Sequence, residues 1–253
     1  MERKSHRTTG FVGVASVILL ALGLAGLNML LSVQAVALDL DFYVAKWAEL
    51  DIPASAKMSM EDLRLAGTKL LGYFTGSEAD PQLMAVVDGT LRPVFRDHEI
   101  QHLHDVRDLF QLGFAAKKVC YGLIVLGILL AAWQPGGDKT ASPGLRTGWL
   151  VSKSLIIGGV PVLAATIILA LTAARDFTRW WTAFHLVTFD NDLWRLDPAT
   201  DWLIRIFPEE FFFAAVKRIG LYSLAATAAC IVLGVILNFA VSQLSSHYSK
   251  YNL

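Results

Sequence analysis

Four long apolar runs constrain this chain more than any other feature. They occupy residues 11–38, 112–133, 148–174 and 219–241, and each is almost free of charge. A helix needs about 20 apolar residues to cross roughly 30 Å of bilayer hydrocarbon, so each run is long enough to span. Lipid offers a backbone no hydrogen-bond partners, which leaves helices or a closed barrel as the only crossing structures. Runs of this length predict an all-α integral membrane protein with four transmembrane helices. The remaining composition fits that reading. Hydrophobic residues make up 55% of the 253, and the 17% that are charged collect between the runs. The 22 basic and 22 acidic side chains cancel, which provides no basic surface for nucleic acid.

The runs divide the chain into a tail (1–10), a first long connection (39–111), a short one (134–147), a second long one (175–218) and a closing tail (242–253). An Ala35-Val36-Ala37 sequence after a basic tail imitates a signal-peptide cleavage site. The first run is, however, longer than the roughly 7–15 residues of a signal h-region, so an uncleaved anchor is expected. Pro161 lies inside the third run, where neighbouring helices can re-satisfy the freed carbonyl. Ala225, Ala226, Ala228, Ala229 and Gly234 make the fourth run suited to close helix approach. Cys120 and Cys230 both fall in apolar runs, which predicts small buried hydrophobes and leaves the polar part without a thiol nucleophile.

Four spans place both termini on one side. The excess of Lys and Arg that marks cytoplasmic loops is nearly evenly matched here. Arg3, Lys4, Arg7, Lys139 and Arg146 lie on one side, and Arg175, Arg179, Lys217 and Arg218 on the other. The basic tail and the short connection favour cytoplasmic termini. The two long connections then fall together as an extracellular, mainly helical cap.

Within 39–111, Ser59 followed three residues on by Asp62 predicts a helix start, with Leu63, Leu65, Leu70, Leu71 and Tyr73 as its apolar face and Gly76 past its end. The stretch from Phe95 to Phe110 lacks Gly and Pro and reads as a helix running into the second span. From Phe184 to Pro208, strand-like alternation competes with helix.

Six histidines are present. His6 and His247 lie in the tails and are expected to be solvated; His98, His102, His104 and His185 fall in the cap. Histidine is the side chain best suited to proton transfer near neutral pH. The string His98-Glu99-Ile100-Gln101-His102 matches H-E-x-x-H, which on a helix sets two zinc ligands one turn apart with a glutamate base between them. Arg96 and Asp97 put charge where such a helix is normally uncharged, and a third ligand would have to come from Asp105 or His185. A different reading pairs His102 with Asp105, whose carboxylate can orient an imidazole; a salt-bridged surface helix is the plain alternative. His185, between Phe184 and Phe189, would be partly desolvated and so kept neutral. Asn191 can donate to a developing oxyanion and Asp192 can orient a histidine, although Asp190-Asn191-Asp192 also suits an ordinary turn. Neither a G-x-S-x-G elbow nor a phosphate-cradling glycine loop occurs near the cap.

Two of these segments, E-I-Q-H-L-H-D-V-R-D-L-F and F-H-L-V-T-F-D-N-D-L-W-R-L-D-P…L-I-R-I-F-P-E-E-F-F, together resemble the lipoprotein intramolecular transacylase family, Lit, of Gram-positive bacteria. The four-span layout agrees. The resemblance implies four transmembrane helices under an extracellular cap, with catalytic His102 and His185 at the boundary of cap and membrane; beside them, Asp105 and Asp192 are expected to orient the histidines and Asn191 to donate a hydrogen bond. Trp181, Phe184, Phe189 and Trp194 would line the substrate pocket. It further implies a diacylated lipoprotein substrate among membrane lipids, no cofactor and no metal, and transfer of the sn-2 acyl chain to the amine of the lipidated cysteine. A membrane zinc metalloprotease using His98-Glu99-x-x-His102, and a non-enzymatic scaffold or sensor, are the competing classes.

Overall fold

A computed structural model of the chain describes the backbone of residues 2–133 and 142–251, and the side chains of 11–133 and 142–247. The connection at 134–141, including Lys139, lies outside the described residues, as do the side chains of Arg3, Lys4, His6 and Arg7. The elements run α1 (Glu2–Ala37), α2 (Leu40–Glu49), α3 (Ile52–Ala56), α4 (Met60–Thr75), β1 (Met84–Val87), β2 (Thr90–Pro93), α5 (Asp97–Trp133), α6 (Pro143–Arg175), α7 (Phe177–Thr188), α8 (Trp202–Ile206) and α9 (Glu209–Tyr251). Among the described residues four helices, α1, α5, α6 and α9, are long and apolar enough to cross a membrane. Each is longer than its apolar run, because polar flanking turns continue the same helix.

The chain forms two compact units. The first comprises 1–32, 116–168 and 221–253 and is built from the four long helices. Its outward side chains are apolar and exposed, such as Phe239 at 66% and Val125 at 56%. A water-facing surface of that kind would be a liability, whereas in lipid it is the expected exterior. Helix contacts depend on absent side chains. A Cβ on Gly158 of α6 would lie 2.9 Å from the Ala21 carbonyl oxygen and 3.0 Å from its Cα. At Gly234 of α9, a Cβ would come 3.0 Å from the Ser152 carbonyl oxygen of α6. Two polar side chains of this unit bond across helices: Ser16 Oγ donates to the Gly127 carbonyl at 2.8 Å, and Asn28 Nδ2 to Thr227 Oγ1 at 2.6 Å.

The second unit comprises 33–115 and 169–220. Its core gathers Trp47, Leu63, Leu70, Tyr73, Val87, Val94 and Ile206, all essentially inaccessible. Trp47 Nε1 donates to the Ile206 carbonyl at 2.9 Å, so even the largest buried side chain has its polar atom satisfied. Helix α4 begins and ends as expected: Ser59 accepts from the Asp62 amide, and Gly76 closes it at φ +91°. Leu63, Leu70 and Tyr73 are buried, but Leu65 is exposed. Within a cap expected to be mainly helical, 84–93 form an antiparallel hairpin pairing Val87 with Thr90. Its two-residue turn, Asp88 (φ +52°) and Gly89 (φ +75°), requires left-handed backbone, which Asp-Gly adopts most readily. Ala85 and Val87 face the core, while Met84 and Val86 face out.

Candidate active site

Helix α5 brings His102 to the site, and α7 brings Trp181, Phe184 and His185. The irregular segment between α7 and α8 supplies Phe189, Asn191 and Trp194. Asp176 caps α7 by accepting from the Arg179 amide at 3.0 Å. The helix then continues until Phe189, where the backbone turns extended. His185 therefore sits in the last turn, one turn beyond Trp181.

His102 and His185 are both buried, at 7% and 6% exposure, with ring centroids 6.2 Å apart. Phe189 closes the triangle, 5.2 Å from His102 and 5.7 Å from His185. Trp181 meets His185 edge-on at 4.5 Å, and Trp194 stacks on it at 4.7 Å. Phe184 adds a further edge contact at 5.3 Å. Every residue expected to line the pocket is thus gathered round His185.

The tautomer of His185 follows from its partner. Nδ1 lies 2.8 Å from the Trp181 carbonyl oxygen, which can only accept, so Nδ1 carries the proton. When the ring is neutral, Nε2 keeps its lone pair and is the basic atom. Burial lowers the His185 pKa below its ordinary range, and the hydrogen bond to Trp181 opposes this only in part. Two imidazolium charges this close in a buried setting would also repel, which favours having at most one ring protonated. His102 Nδ1 is buried without a hydrogen-bond partner among the described residues.

The expected orienting residues are placed differently from one another. Asn191 Nδ2 donates to Asp105 at 2.9 Å, tying the irregular segment to α5. Asn191 also accepts from the Leu193 amide at 3.0 Å. Asp192 is exposed and pairs with Arg195 at 2.7 Å, not with a histidine. A hydrogen-bonded ion pair in water is the ordinary outcome for neighbouring surface charges.

The H-E-x-x-H atoms have other employment. Glu99 is fully buried, and both carboxylate oxygens accept backbone amides, from Arg96 at 2.8 Å and Leu203 at 2.6 Å. It caps the start of α5 and, across 104 residues of sequence, the start of α8. His98 Nε2 lies 3.1 Å from Asp201, a carboxylate 3% exposed. Burial pushes the Asp201 pKa up, but hydrogen bonds from the Asp197 amide, His98 and Thr200 outweigh it and hold the group below the usual carboxylate range. His98, Glu99 and His102 therefore do not converge on one point. The corrected role of Glu99 is that of a buried brace, and no sequence period signals it, because its partner Leu203 is distant in the chain. His104, also in the cap, pairs with the hydroxyl of Tyr73, away from the histidine pair.

The fold has solved relatives. The membrane integral lipoprotein intramolecular transacylase Lit from Bacillus cereus matches with a TM-score of 0.73 at 22% identity, covering 90% of this chain and 96% of that one. A variant of the same protein with one histidine substituted by arginine matches at 0.74 and 21% identity, covering 97% and 100%. These likenesses establish a shared fold and, with the four apolar helices, a multi-pass membrane protein. No curated protein sequence matches this chain. The family model for the lipoprotein intramolecular transacylase Lit matches residues 17–212, which include both histidines and most of the two long connections. The chain accordingly belongs to the lipoprotein intramolecular transacylase family, Lit, and is an acyltransferase.

Proposed function

We propose that this enzyme moves the sn-2 acyl chain of a diacylglyceryl-cysteine lipoprotein to the α-amino group of the same cysteine, using His102 and His185 as its acid–base pair. The reaction takes place on the extracellular face, with both termini cytoplasmic and the two long connections forming the cap. The observation that carries the reading is a pair of buried imidazoles inside an aromatic enclosure, one with its basic nitrogen fixed by the Trp181 carbonyl.

His185 Nε2 takes a proton from the amine as the nitrogen attacks the ester carbonyl. A C–N bond forms, the tetrahedral intermediate collapses, and the C–O bond to the glyceryl oxygen breaks. The proton taken by His185 passes on by way of His102 to that departing alkoxide, so both imidazoles end the cycle neutral, the form that burial favours for each. The sum is ester to amide within one molecule, so water and an enzyme nucleophile are both unnecessary. Attack closes a ring of about eight members, from nitrogen through Cα, Cβ, sulfur and two glyceryl carbons to the ester oxygen and carbonyl carbon, and such rings need strong positioning. Trp181, Phe184, Phe189 and Trp194 supply it by confining the glyceryl and acyl arms. Asp105 and Asn191 brace the segment carrying Phe189 and Trp194 against α5. Asp192, paired with Arg195, acts in this scheme only through that same segment.

Mass spectrometry of a lipoprotein N-terminus tests the reading, in a host with and without the chain. Wild type is expected to convert diacylglyceryl-cysteine to N-acyl, lyso-glyceryl-cysteine, with the yield unchanged by EDTA. His102→Ala and His185→Ala are each expected to abolish the product while the protein still accumulates in membranes. Full activity in either variant would sink the two-histidine mechanism.

A further inference from the structure

Trp194 Nε1 is buried and meets no hydrogen-bond acceptor among the described residues. An indole N–H only donates, and a buried donor without an acceptor costs free energy until one is supplied. Trp47, by contrast, has its indole N–H satisfied by the Ile206 carbonyl. Buried donors without partners are uncommon, and this one belongs to the ring stacked directly on the catalytic His185, at 4.7 Å and 27° between planes. The second unpartnered buried atom in the same place is His102 Nδ1. Two orphaned polar atoms therefore flank one reaction centre.

On the reading that this site performs the acyl migration above, the chemistry creates one acceptor in need of such a donor. When the amine adds, the carbonyl π electrons move onto oxygen, and that oxyanion must be stabilised until the glyceryl C–O bond breaks. Asn191 has one of its two amide N–H bonds committed to Asp105 and its carbonyl oxygen to the Leu193 amide, whereas the Trp194 N–H is uncommitted and belongs to the ring stacked on His185. We propose that the Trp194 indole N–H donates to the carbonyl oxygen of the migrating acyl group, making Trp194 a catalytic residue. The N–H keeps its proton throughout; the only proton moved is the one passing from the amine to the glyceryl oxygen. The indole stacks on the His185 ring at 4.7 Å with 27° between planes, which brings the N–H donor and the imidazole to one place. Base and oxyanion donor can thus serve the two ends of one amine–carbonyl contact. Substrate reaches the N–H by displacing side chains that cover it, and Trp194 sits on an irregular segment, not a helix, which makes that movement local.

The test replaces Trp194 by benzothienylalanine, which keeps the shape and stacking of the ring and puts sulfur where the N–H was. With purified full-length enzyme and a synthetic diacylglyceryl-cysteine peptide, kcat is expected to fall about 10²–10³-fold with KM little changed, the loss typical of one oxyanion donor. A wild-type kcat, or a loss confined to KM, would show Trp194 to be only a wall and overturn the proposal. A second measurement needs no variant. The Trp194 indole proton of the native enzyme is expected to move downfield when an N-acetylated, unreactive diacylglyceryl-cysteine peptide binds; binding without that shift overturns the proposal. Should wild type itself form no lyso product, the acyl-migration reading fails, an outcome distinct from either of these.

Discussion

At the scale of single residues, burial decides what each histidine does. His98 and His102 are one turn apart on the same helix, yet His98 serves a buried aspartate and His102 faces His185. The pH dependence follows from His185. Its native pKa is lowered by burial, and a free histidine titrates near 6.5, so the neutral base persists through pH 7 and is lost only on acidification below the ordinary range. The sign for stability is the same: the unfolded chain binds the proton more readily, so the stability associated with a neutral His185 is retained above about pH 6.5 and lost below it. The substrate α-amino group, which titrates at about 7.7–8.0, sets its own acid limb, and His185 should steepen the fall in single-turnover rate of lyso-product formation below about pH 6.5; a log-rate slope that does not steepen there would contradict the assignment. Glu99 offers a second residue-scale prediction. Glu99→Ala orphans the Arg96 and Leu203 amides, at a cost on the order of 1–3 kcal/mol per buried donor, and should lower the unfolding temperature in detergent. An unchanged transition would mean that Glu99 is not the brace inferred here.

At the scale of elements, local chemistry was legible wherever a cap or an uninterrupted helix announced itself. The start at Ser59, the stop at Gly76 and the run from Phe95 into the second span all appear as the pattern requires. The hairpin at 84–93 is carried by a local signal too, since Asp-Gly between alternating apolar residues suits a two-residue hairpin turn, although it is not among the elements expected from the sequence. Gly89→Val tests how much that turn matters: a β-branched residue at φ +75° is expected to cost roughly 1–2 kcal/mol and to speed amide exchange across β1 and β2. Exchange at the wild-type rate would show the turn to be replaceable. Leu65 marks the limit of periodicity. It satisfies the apolar spacing of α4 and is nevertheless exposed, because the surface available for packing is narrower than the stripe.

At the scale of the whole molecule, the long helices of the first unit approach through missing side chains. Gly158→Leu forces a side chain against the backbone of Ala21, and overpacking of this kind costs typically about 1–3 kcal/mol. Gly122→Leu, where a Cβ meets nothing within 4 Å, is the control and should be near neutral. Thermal unfolding in detergent distinguishes the two, and equal behaviour would argue against close packing of α1 on α6. Sidedness is a property of the same scale, and its balance of basic residues is nearly even in the sequence.

The sequence by itself determined the membrane, the four crossings and the identity of the chemistry-bearing segments, because hydrophobic length and residue type are local quantities. It also determined which side chains could transfer protons. Only the tertiary structure decided how they are paired. Glu99 with Leu203, Asn191 with Asp105, and His102 with His185 join residues 83 to 104 positions apart. Such pairs are set by which helix faces pack together, and hydrogen-bond satisfaction in the buried interior then selects among the candidates. That selection turned a zinc-like string into a brace, and left His102 Nδ1 and Trp194 Nε1 without partners among the described residues around His185.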